Sequence, residues 1–253
     1  MADKPRFRRR MMCVGCWERR HTPIFIHGPL SLPYKVVGLR ASAMNPNLCT
    51  RCETTFKRIM RSAQVQMPLT ILFADVRGYT SMSNSEQAPD VSAMLGRFYE
   101  TCAQIIWERE GIINKLIGDA VLAVFNFPLK RADHVSRAVD AAIELQRRCS
   151  ERVGPGGPLP FGIGIGIHTG DTLIGEVGQM LRDFTVIGPV VNLTSRLQGA
   201  AKPGEVLVTP EVFQEAAELL PGAVLTAYRL KGIDHPVEAY AYCAIAEKAS
   251  PGI

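Results

Sequence analysis

From Met67 onward the sequence alternates between short apolar runs and helical stripes, and this alternation constrains the fold more than any other feature. The run "LTILFAD" is followed by apolar residues spaced i, i+3, i+4 and i+7 from Val91, as in an amphipathic helix. The runs "GIINKLI" and "AVLAVFNF" are separated only by Gly118 and Asp119, which predicts a tight β-hairpin. Further along, the patterns predict a second helix near Val135, a strand pair in "FGIGIGIHTG" and "TLIGEVG", and finally a strand, a helix and two strands. This order predicts an α+β or α/β fold in which helices cover a sheet.

The charge distribution divides the chain into two chemically different parts. Residues 1–62 hold 13 Lys and Arg against 3 Asp and Glu, whereas the rest of the chain holds 16 against 21. A basic segment of this kind contacts nucleic acid, anionic lipid or an acidic protein surface, or is simply solvated. The composition is that of a soluble globular protein, and no apolar run approaches the roughly 18 residues of a membrane span. The basic start lacks the apolar segment of a secretory signal, so we expect a cytoplasmic protein without a membrane span.

Two CxxC pairs in the basic segment predict a metal site. Cys13 and Cys16 form the first pair, and Cys49 and Cys52 follow after about 32 residues. In a reducing cytoplasm such pairs favour metal ligation over disulfides, and four thiolates can close a tetrahedron around Zn²⁺. An iron–sulfur cluster or a set of redox-sensing thiols fits the same residues. The remaining cysteines are expected to pack as small hydrophobic residues: Cys102, Cys149 and Cys243.

Two carboxylates stand at the ends of predicted strands. Asp75 ends an apolar strand, and Asp119 occupies the predicted hairpin turn. If these strands are neighbours, the two like charges converge, which is costly unless a cation or a proton relieves the repulsion. Carboxylate oxygens suit Mg²⁺, and the following "VRGYT" would offer backbone N–H groups to a triphosphate. Taken singly, each aspartate also fits an ordinary structural role in a turn or at a strand end.

Four motifs together carry a resemblance to a known family. In chain order they are "ILFADVRGYT", "NKLIGDAVLAVF", "GIGIHTG" and "FTVIGPVVNLTSRL". Their order and spacing resemble the class III nucleotidyl cyclase catalytic domain over about residues 67–245. The resemblance implies an α+β fold with a ferredoxin-like, palm-type βαββαβ core. We therefore predict a metal-stapled module over residues 1–62, a catalytic domain over 63–247 and a flexible tail over 248–253.

The resemblance implies a set of metal-binding and phosphate-binding residues. Asp75, Asp119 and the carbonyl of Val76 match the positions that hold two Mg²⁺ or Mn²⁺ ions in this family. These ions activate the ribose 3′-hydroxyl of the substrate and neutralise the departing pyrophosphate. The matching substrate-binding positions are Gly78, Tyr79 and Thr80 after the first aspartate and Lys231 at the terminal phosphates. His168, in "IHTG", has no implied catalytic role, and we expect it to be structural.

The same resemblance implies residues that select the base and stabilise the transition state. Lys115 and Thr185 match the two base-reading positions, and a lysine at the first of them resembles the adenylate cyclase choice, because it donates to adenine N1. Facing guanine, that lysine would leave buried polar groups unpaired, which favours ATP. Asn192 and Arg196 match the pair that orients the ribose and stabilises charge on the α-phosphate.

In this family two subunits share each active site. The resemblance therefore implies a homodimer in which one chain supplies the metal aspartates and the other supplies Lys115, Thr185, Asn192 and Arg196. The predicted function is an adenylate cyclase that converts ATP to cyclic AMP and pyrophosphate. The alternatives are a guanylate cyclase, a poorly active nucleotide-binding sensor, and a nucleic-acid binder built on the four-cysteine module, for which no groove-reading helix is evident.

The four-cysteine module adjoins the predicted catalytic domain in sequence. A short helix is predicted from about Glu53 to Ala63, directly before the strand that ends at Asp75. From this adjacency we hypothesise that the bound metal sets the geometry of that helix and biases closure of the dimer. A metal that only staples a small segment is the simpler alternative. The sequence does not identify a regulatory partner.

Overall fold

The described residues form one mixed β-sheet flanked by helices. The computed structural model describes residues 10–62, 64–79, 88–151, 162–178 and 183–243. The helices are α1 (Val14–Arg20), α2 (Leu32–Val36), α3 (Thr50–Ser62), α4 (Ala88–Glu108), α5 (His134–Ser150), α6 (Pro189–Ala200) and α7 (Pro210–Ala216), with short 3-10 turns at Pro29–Ser31 and Ala217–Leu219. The strands are β1 (Val65–Val76), β2 (Ile112–Ile117), β3 (Ala120–Phe125), β4 (Ile163–Val177), β5 (Asp183–Ile187), β6 (Glu205–Val208), β7 (Val224–Tyr228) and β8 (Val237–Cys243). Their order in the sheet is β2-β3-β1-β4-β6-β8-β7, with β5 paired to β4.

The first part of the sheet has the predicted βαββαβ order. The segments β1, α4, β2, β3, α5 and β4 follow one another along the chain, and β2-β3-β1-β4 pair antiparallel in space. The predicted hairpin is confirmed, because Ile117 pairs with Ala120 across the Gly118 and Asp119 turn. The predicted strand pair in "FGIGIGIHTG" and "TLIGEVG" is wrong. The described residues Ile163–Val177 form the single strand β4, which stays continuous because all of β1, from Val65 to Val76, pairs with it.

One face of the sheet is covered by α4 and α5. Because side chains alternate along a strand, Leu72, Ala74 and Val76 of β1 point to these helices. The predicted stripe of α4 is confirmed, with Phe98 and Ile106 at most 1% exposed. Cys102 and Cys149 are buried as expected, whereas Cys243 is exposed on the edge-proximal strand β8, so its predicted packing is wrong.

The opposite face of the sheet packs against the N-terminal part of the chain. Leu69, Ile71 and Phe73 of β1 share one buried cluster with residues that precede the sheet: Cys13, Val14, Ile26, Leu48, Cys49, Phe56 and Met60. Polar contacts join the same two parts, since Asn45 Nδ2 donates to the Gly111 carbonyl at 3.0 Å. Residues 10–62 therefore complete a hydrophobic core on this face of the sheet.

Helix α6 lies on that second face, directly against β4. A Cβ atom at Gly166 would lie 2.4 Å from the backbone nitrogen of Gln198 and 2.7 Å from the Thr194 carbonyl oxygen. At Gly164 an added Cβ would meet the Arg77 guanidinium. The glycines of "GIGIG" thus allow the helix and an arginine to approach the strand backbone.

In the described part of the chain, no helix is long and apolar enough to cross a membrane.

Candidate active site and metal centre

The structure brings Asp75 and Asp119 together at one end of the sheet. Asp75 lies on β1 opposite Ala120 of β3, and Asp119 occupies the turn just before Ala120. The Val76 N–H donates to the Asp119 carbonyl at 3.4 Å, which links the two strand ends. The predicted convergence of two strand-end carboxylates is therefore found, and the paired strands fix both positions.

The electrostatics of this pair suit a cation. Burial and the neighbouring Asp119 carboxylate raise the pKa of Asp75 to about 6. Two donors hold Asp75 Oδ2, namely Gln198 Nε2 at 2.9 Å and Arg77 Nη1 at 3.3 Å. Asp75 Oδ1 is buried and has no hydrogen-bond partner among the described residues. An unpartnered carboxylate oxygen beside a second carboxylate is the donor set that Mg²⁺ or Mn²⁺ prefers.

Sequence reasoning missed both donors to Asp75. Arg77 lies two residues from Asp75, within the motif "ILFADVRGYT". The motif does not show that the Arg77 guanidinium packs against the backbone of Gly164, where a Cβ atom would collide with it. Burial lowers the pKa of the Arg77 guanidinium, although Asp75 opposes that shift. Gln198 is 123 residues distant from Asp75 in sequence, so no local pattern signals this contact.

The loop after β1 is described only in part. Gly78 adopts a left-handed φ of 75°, so glycine is favoured at this position. Tyr79 is partly buried and packs against the hydrophobic core on the face of the sheet that α4 and α5 cover. Thr80, the third predicted residue of this loop, lies outside the described residues, as does the predicted tail 248–253.

The base-reading pair has a neighbour that the sequence did not suggest. Lys115 Nζ forms an ion pair with the carboxylate of Asp183, at the start of β5. Thr185 lies two residues further along the same strand, hence on the same face. Its hydroxyl is 3.5 Å from the Val186 carbonyl, a long hydrogen bond. The structure therefore places a carboxylate next to Lys115, although the predicted base-reading position carries a threonine.

The remaining predicted residues make no polar contact with the aspartate pair among the described residues. Asn192 and Arg196 are exposed on α6, and Lys231 is exposed in the turn between β7 and β8. The described residues show no hydrogen bond or ion pair that joins any of these three side chains to Asp75 or Asp119. His168 bonds through Nδ1 to the Thr209 hydroxyl at 2.9 Å, in keeping with a structural role.

The four cysteines of the N-terminal part form one compact cluster. Their Sγ atoms all lie within 4.8 Å of one another. Cys16 Sγ is 3.6 Å from both Cys49 and Cys52, and Cys13 Sγ is 3.7 Å from Cys52. Sulfurs around one Zn²⁺ at about 2.3 Å would be about 3.8 Å apart. The Cys49 backbone N–H also donates to Cys13 Sγ at 3.1 Å. The residues thus fit one tetrahedral metal ion.

Comparison with known proteins agrees with this architecture. The family model described as "Adenylate and Guanylate cyclase catalytic domain" matches residues 62–240. The crystal structure of the guanylyl cyclase Cya2 aligns with a TM-score of 0.65 and 28% identity, covering 74% of this chain and 97% of that one. The adenylyl cyclase CyaB from P. aeruginosa aligns with a TM-score of 0.62 and 26% identity, covering 75% of this chain and all of that one.

Curated relatives point in the same direction. An adenylate cyclase of Anabaena cylindrica is 37% identical over 142 residues, which are 53% of this chain and 27% of that protein. Adenylate cyclase 1 of Rhizobium meliloti is 28% identical over 179 residues, 68% of this chain and 27% of the relative. The chain therefore spans about a quarter of the length of these two relatives. Since the family model covers well over half of the chain, this protein belongs to the adenylate and guanylate cyclase catalytic domain family.

Proposed function

We propose that this protein is an adenylate cyclase, which converts ATP to 3′,5′-cyclic AMP and pyrophosphate. The observation that carries the proposal is the Asp75 and Asp119 pair, with a buried, unpartnered carboxylate oxygen, inside a cyclase domain. Named adenylate cyclases among the relatives support ATP as the substrate. The lysine at position 115 supports it as well, because a cationic donor suits adenine N1 better than the N1–H of guanine.

The reaction requires positioning and charge stabilisation rather than a side-chain nucleophile. The ribose 3′-hydroxyl gives up its proton to solvent and its oxygen forms a bond to the α-phosphorus, while the bond from that phosphorus to the pyrophosphate oxygen breaks and pyrophosphate leaves. Two Mg²⁺ or Mn²⁺ ions would supply Lewis-acid chemistry, and Asp75, Asp119 and the Val76 carbonyl would hold them. Asn192 would orient the ribose, and Arg196 would stabilise charge that develops on the α-phosphate. Gly78, Tyr79, Thr80 and Lys231 would contact the phosphates.

Helix geometry supports a site shared between two copies of the chain. Gln198 faces Asp75 of its own chain, and Arg196 lies two residues earlier, about 200° around an α-helix of 3.6 residues per turn. Arg196 is exposed, so it points away from its own aspartates. The hairpin beside Asp119 also exposes two large apolar residues, Leu116 and Ile117, at 50% and 49%. A second copy would cover this surface and receive Arg196.

The substrate is tested by comparing turnover of ATP and GTP in Mg²⁺ and in Mn²⁺. We expect the kcat/KM for ATP to exceed that for GTP at least about tenfold. A tenfold ratio is about the effect of one mispaired hydrogen bond to a charged group. Asp75→Ala should abolish either activity and serves as the control for contaminating cyclases. Faster turnover of GTP would replace the proposal with a guanylate cyclase. Nucleotide binding without turnover in Mn²⁺ would instead indicate a sensor.

Asp183 gives a second prediction, about how the base is read. Its carboxylate only accepts hydrogen bonds, and beside Lys115 it would accept from the adenine 6-amino group. Asp183→Asn adds a donor that tolerates the guanine O6, so the ratio of ATP to GTP turnover should fall about tenfold. Thr185→Val is the matched comparison at the position that the family resemblance implies. A larger drop for Thr185→Val than for Asp183→Asn would return the base-reading role to Thr185.

We also propose that the four cysteines hold one Zn²⁺. The short spacing of all four sulfurs supports a single ion, because an iron–sulfur cluster distributes its thiolates over several irons. The ion would offset half of the negative charge of four thiolates, and the second pair lies at the start of α3. Under this proposal residues 1–62 are a zinc-stabilised module and residues 63–247 are the catalytic domain.

A further inference from the structure

Helix α6 carries a buried glutamine that contacts a predicted metal ligand of its own chain. We propose that Gln198 is a positioning residue that orients Asp75 for metal binding, and that α6 thereby connects the two half-sites of a dimer. The inference rests on the proposed function, since it takes Asp75 as a metal ligand. It adds a residue that neither the motifs nor the family resemblance identified.

The hydrogen bonds around Asp75 are divided unequally between its two oxygens. Gln198 Nε2 donates to Oδ2 at 2.9 Å, and Gln198 is only 7% exposed. Arg77 Nη1 approaches the same oxygen at 3.3 Å, and Arg77 Nη2 donates to the Gln198 backbone carbonyl. Oδ1 is buried without a partner among the described residues. One carboxylate oxygen is therefore anchored by the protein, while the other remains available to a cation.

The close packing of α6 on β4 makes this contact possible. Asp75 pairs in register with Gly164, and Phe73 pairs with Gly166, so these residues lie on the face that α6 covers. A side chain at position 166 would displace the Gln198 backbone, from which a Cβ would be only 2.4 Å away. The distance from Gln198 to Asp75 is thus set by backbone contact between helix and strand, which is stiff.

The two sides of α6 would serve two different sites. Gln198 faces the sheet and Asp75, whereas Asn192 and Arg196 are exposed on other sides of the helix. In the proposed dimer the exposed pair enters the site that contains the partner's aspartates. A shift of α6 would then change metal binding in one site and transition-state contacts in the other. Ligands that hold metals in proteins commonly depend on such supporting hydrogen bonds, at a cost of about 10–100-fold when these are removed.

The first test measures metal binding without turnover. Gln198→Met keeps the size and flexibility of the side chain but removes the donor. We expect Mn²⁺ to bind about tenfold more weakly, measured by electron paramagnetic resonance of free Mn²⁺ with an ATP analogue that cannot be cleaved. Gln146→Met is the matched control, because Gln146 is also a buried glutamine but donates to the Ile163 and Glu205 carbonyls.

The outcomes of this test are separable. Weaker Mn²⁺ binding for Gln198→Met but not for Gln146→Met supports the proposal, and unchanged binding for Gln198→Met overturns it. Equal weakening by both variants also overturns it, because a general loss of packing would then explain the effect. Should Gln198→Met fail to fold, Gln198→Asn keeps the amide on a stem one methylene too short. The same tenfold loss is expected for it, and unchanged binding again overturns the proposal.

The second test asks whether Gln198 acts within its own chain. In mixtures of Asp75→Ala and Arg196→Ala chains, the one intact site would take Asp75 from the Arg196→Ala chain. Gln198→Met should therefore raise the half-saturating metal concentration when placed in that chain, and much less when placed in the Asp75→Ala chain. Equal effects from both placements contradict the proposal. Absence of any rescued activity counts against the shared site instead, and the Mn²⁺ measurement still decides the role of Gln198.

Discussion

Asp75→Ala and Arg196→Ala proteins, each nearly inactive alone, are expected to regain activity when they are mixed. Removing a metal ligand or a charge-stabilising arginine should each lower kcat at least about 100-fold. In a mixed dimer, one site would contain both substitutions and the other would contain neither. Random exchange of equal amounts makes about half of the dimers mixed, so about a quarter of the wild-type activity should return for a two-site dimer.

The control for this experiment is a mixture of two variants from the same half-site. Asp75→Ala with Asp119→Ala should show no rescue, because every dimer then lacks an aspartate in each site. Cyclic AMP formation is followed after incubation long enough for subunit exchange, and the dimer is checked by sedimentation. No rescue in the mixture of Asp75→Ala with Arg196→Ala would show that each chain completes its own site. Full activity of either single variant would show that its residue is not required, and rescue in the control mixture would show that the two aspartates of a site come from different chains.

Loss of the four-cysteine metal is expected to destabilise the catalytic sheet as well as the N-terminal part. Cys13 and Cys49 belong to the same buried cluster as Leu69, Ile71 and Phe73 of β1. Structural zinc sites contribute much of the folding energy of small modules, so Cys52→Ser or removal of the metal should cost about 5 kcal/mol or more. For a chain of this size that corresponds to a fall in Tm of about 10–20 °C.

Scanning calorimetry combined with elemental analysis of the protein tests this expectation. Cys243→Ser is the matched control, because it also removes a thiol but from an exposed position on β8. One metal per chain in the wild type and less in Cys52→Ser identifies the ion. An unchanged Tm in metal-free protein would mean that the cluster is not a folding element. Deleting residues 1–63 is a poorer test, because it would expose the apolar face of β1 whatever the metal does.

The local elements of the site could be predicted from sequence because short patterns determine them. An apolar run that ends at Asp75 and two runs separated by Gly118 and Asp119 define paired strands, and pairing brings the carboxylates together. The contacts of Gln198 and Asp183 could not be predicted in this way. Gln198 and Asp75 are separated by 123 residues, and Lys115 and Asp183 by 68, so only the tertiary fold joins them.

The packing of the N-terminal part against the sheet could not be predicted from the sequence. Two CxxC pairs indicate a self-contained metal site, and a sequence pattern cannot show which surface such a site covers. The continuous apolar run of β1 predicts two buried faces, yet α4 and α5 cover only one of them. Helix α6 and residues 10–62 together cover the second face. The alternation of strands and helices along the sequence does not indicate that residues 10–62 contribute to this cover.

The glycines of β4 have a consequence for attempts to redesign this protein. Gly164 and Gly166 have no side chain, so Arg77 packs against the backbone at position 164 and α6 packs against the backbone at position 166. An alanine at position 166 would lift the helix outward, and both of its sides would move together. Metal preference and nucleotide preference could not then be adjusted independently through α6. Engineering of substrate choice should begin at Lys115 on β2 and Asp183 on β5, the side chains proposed to read the base.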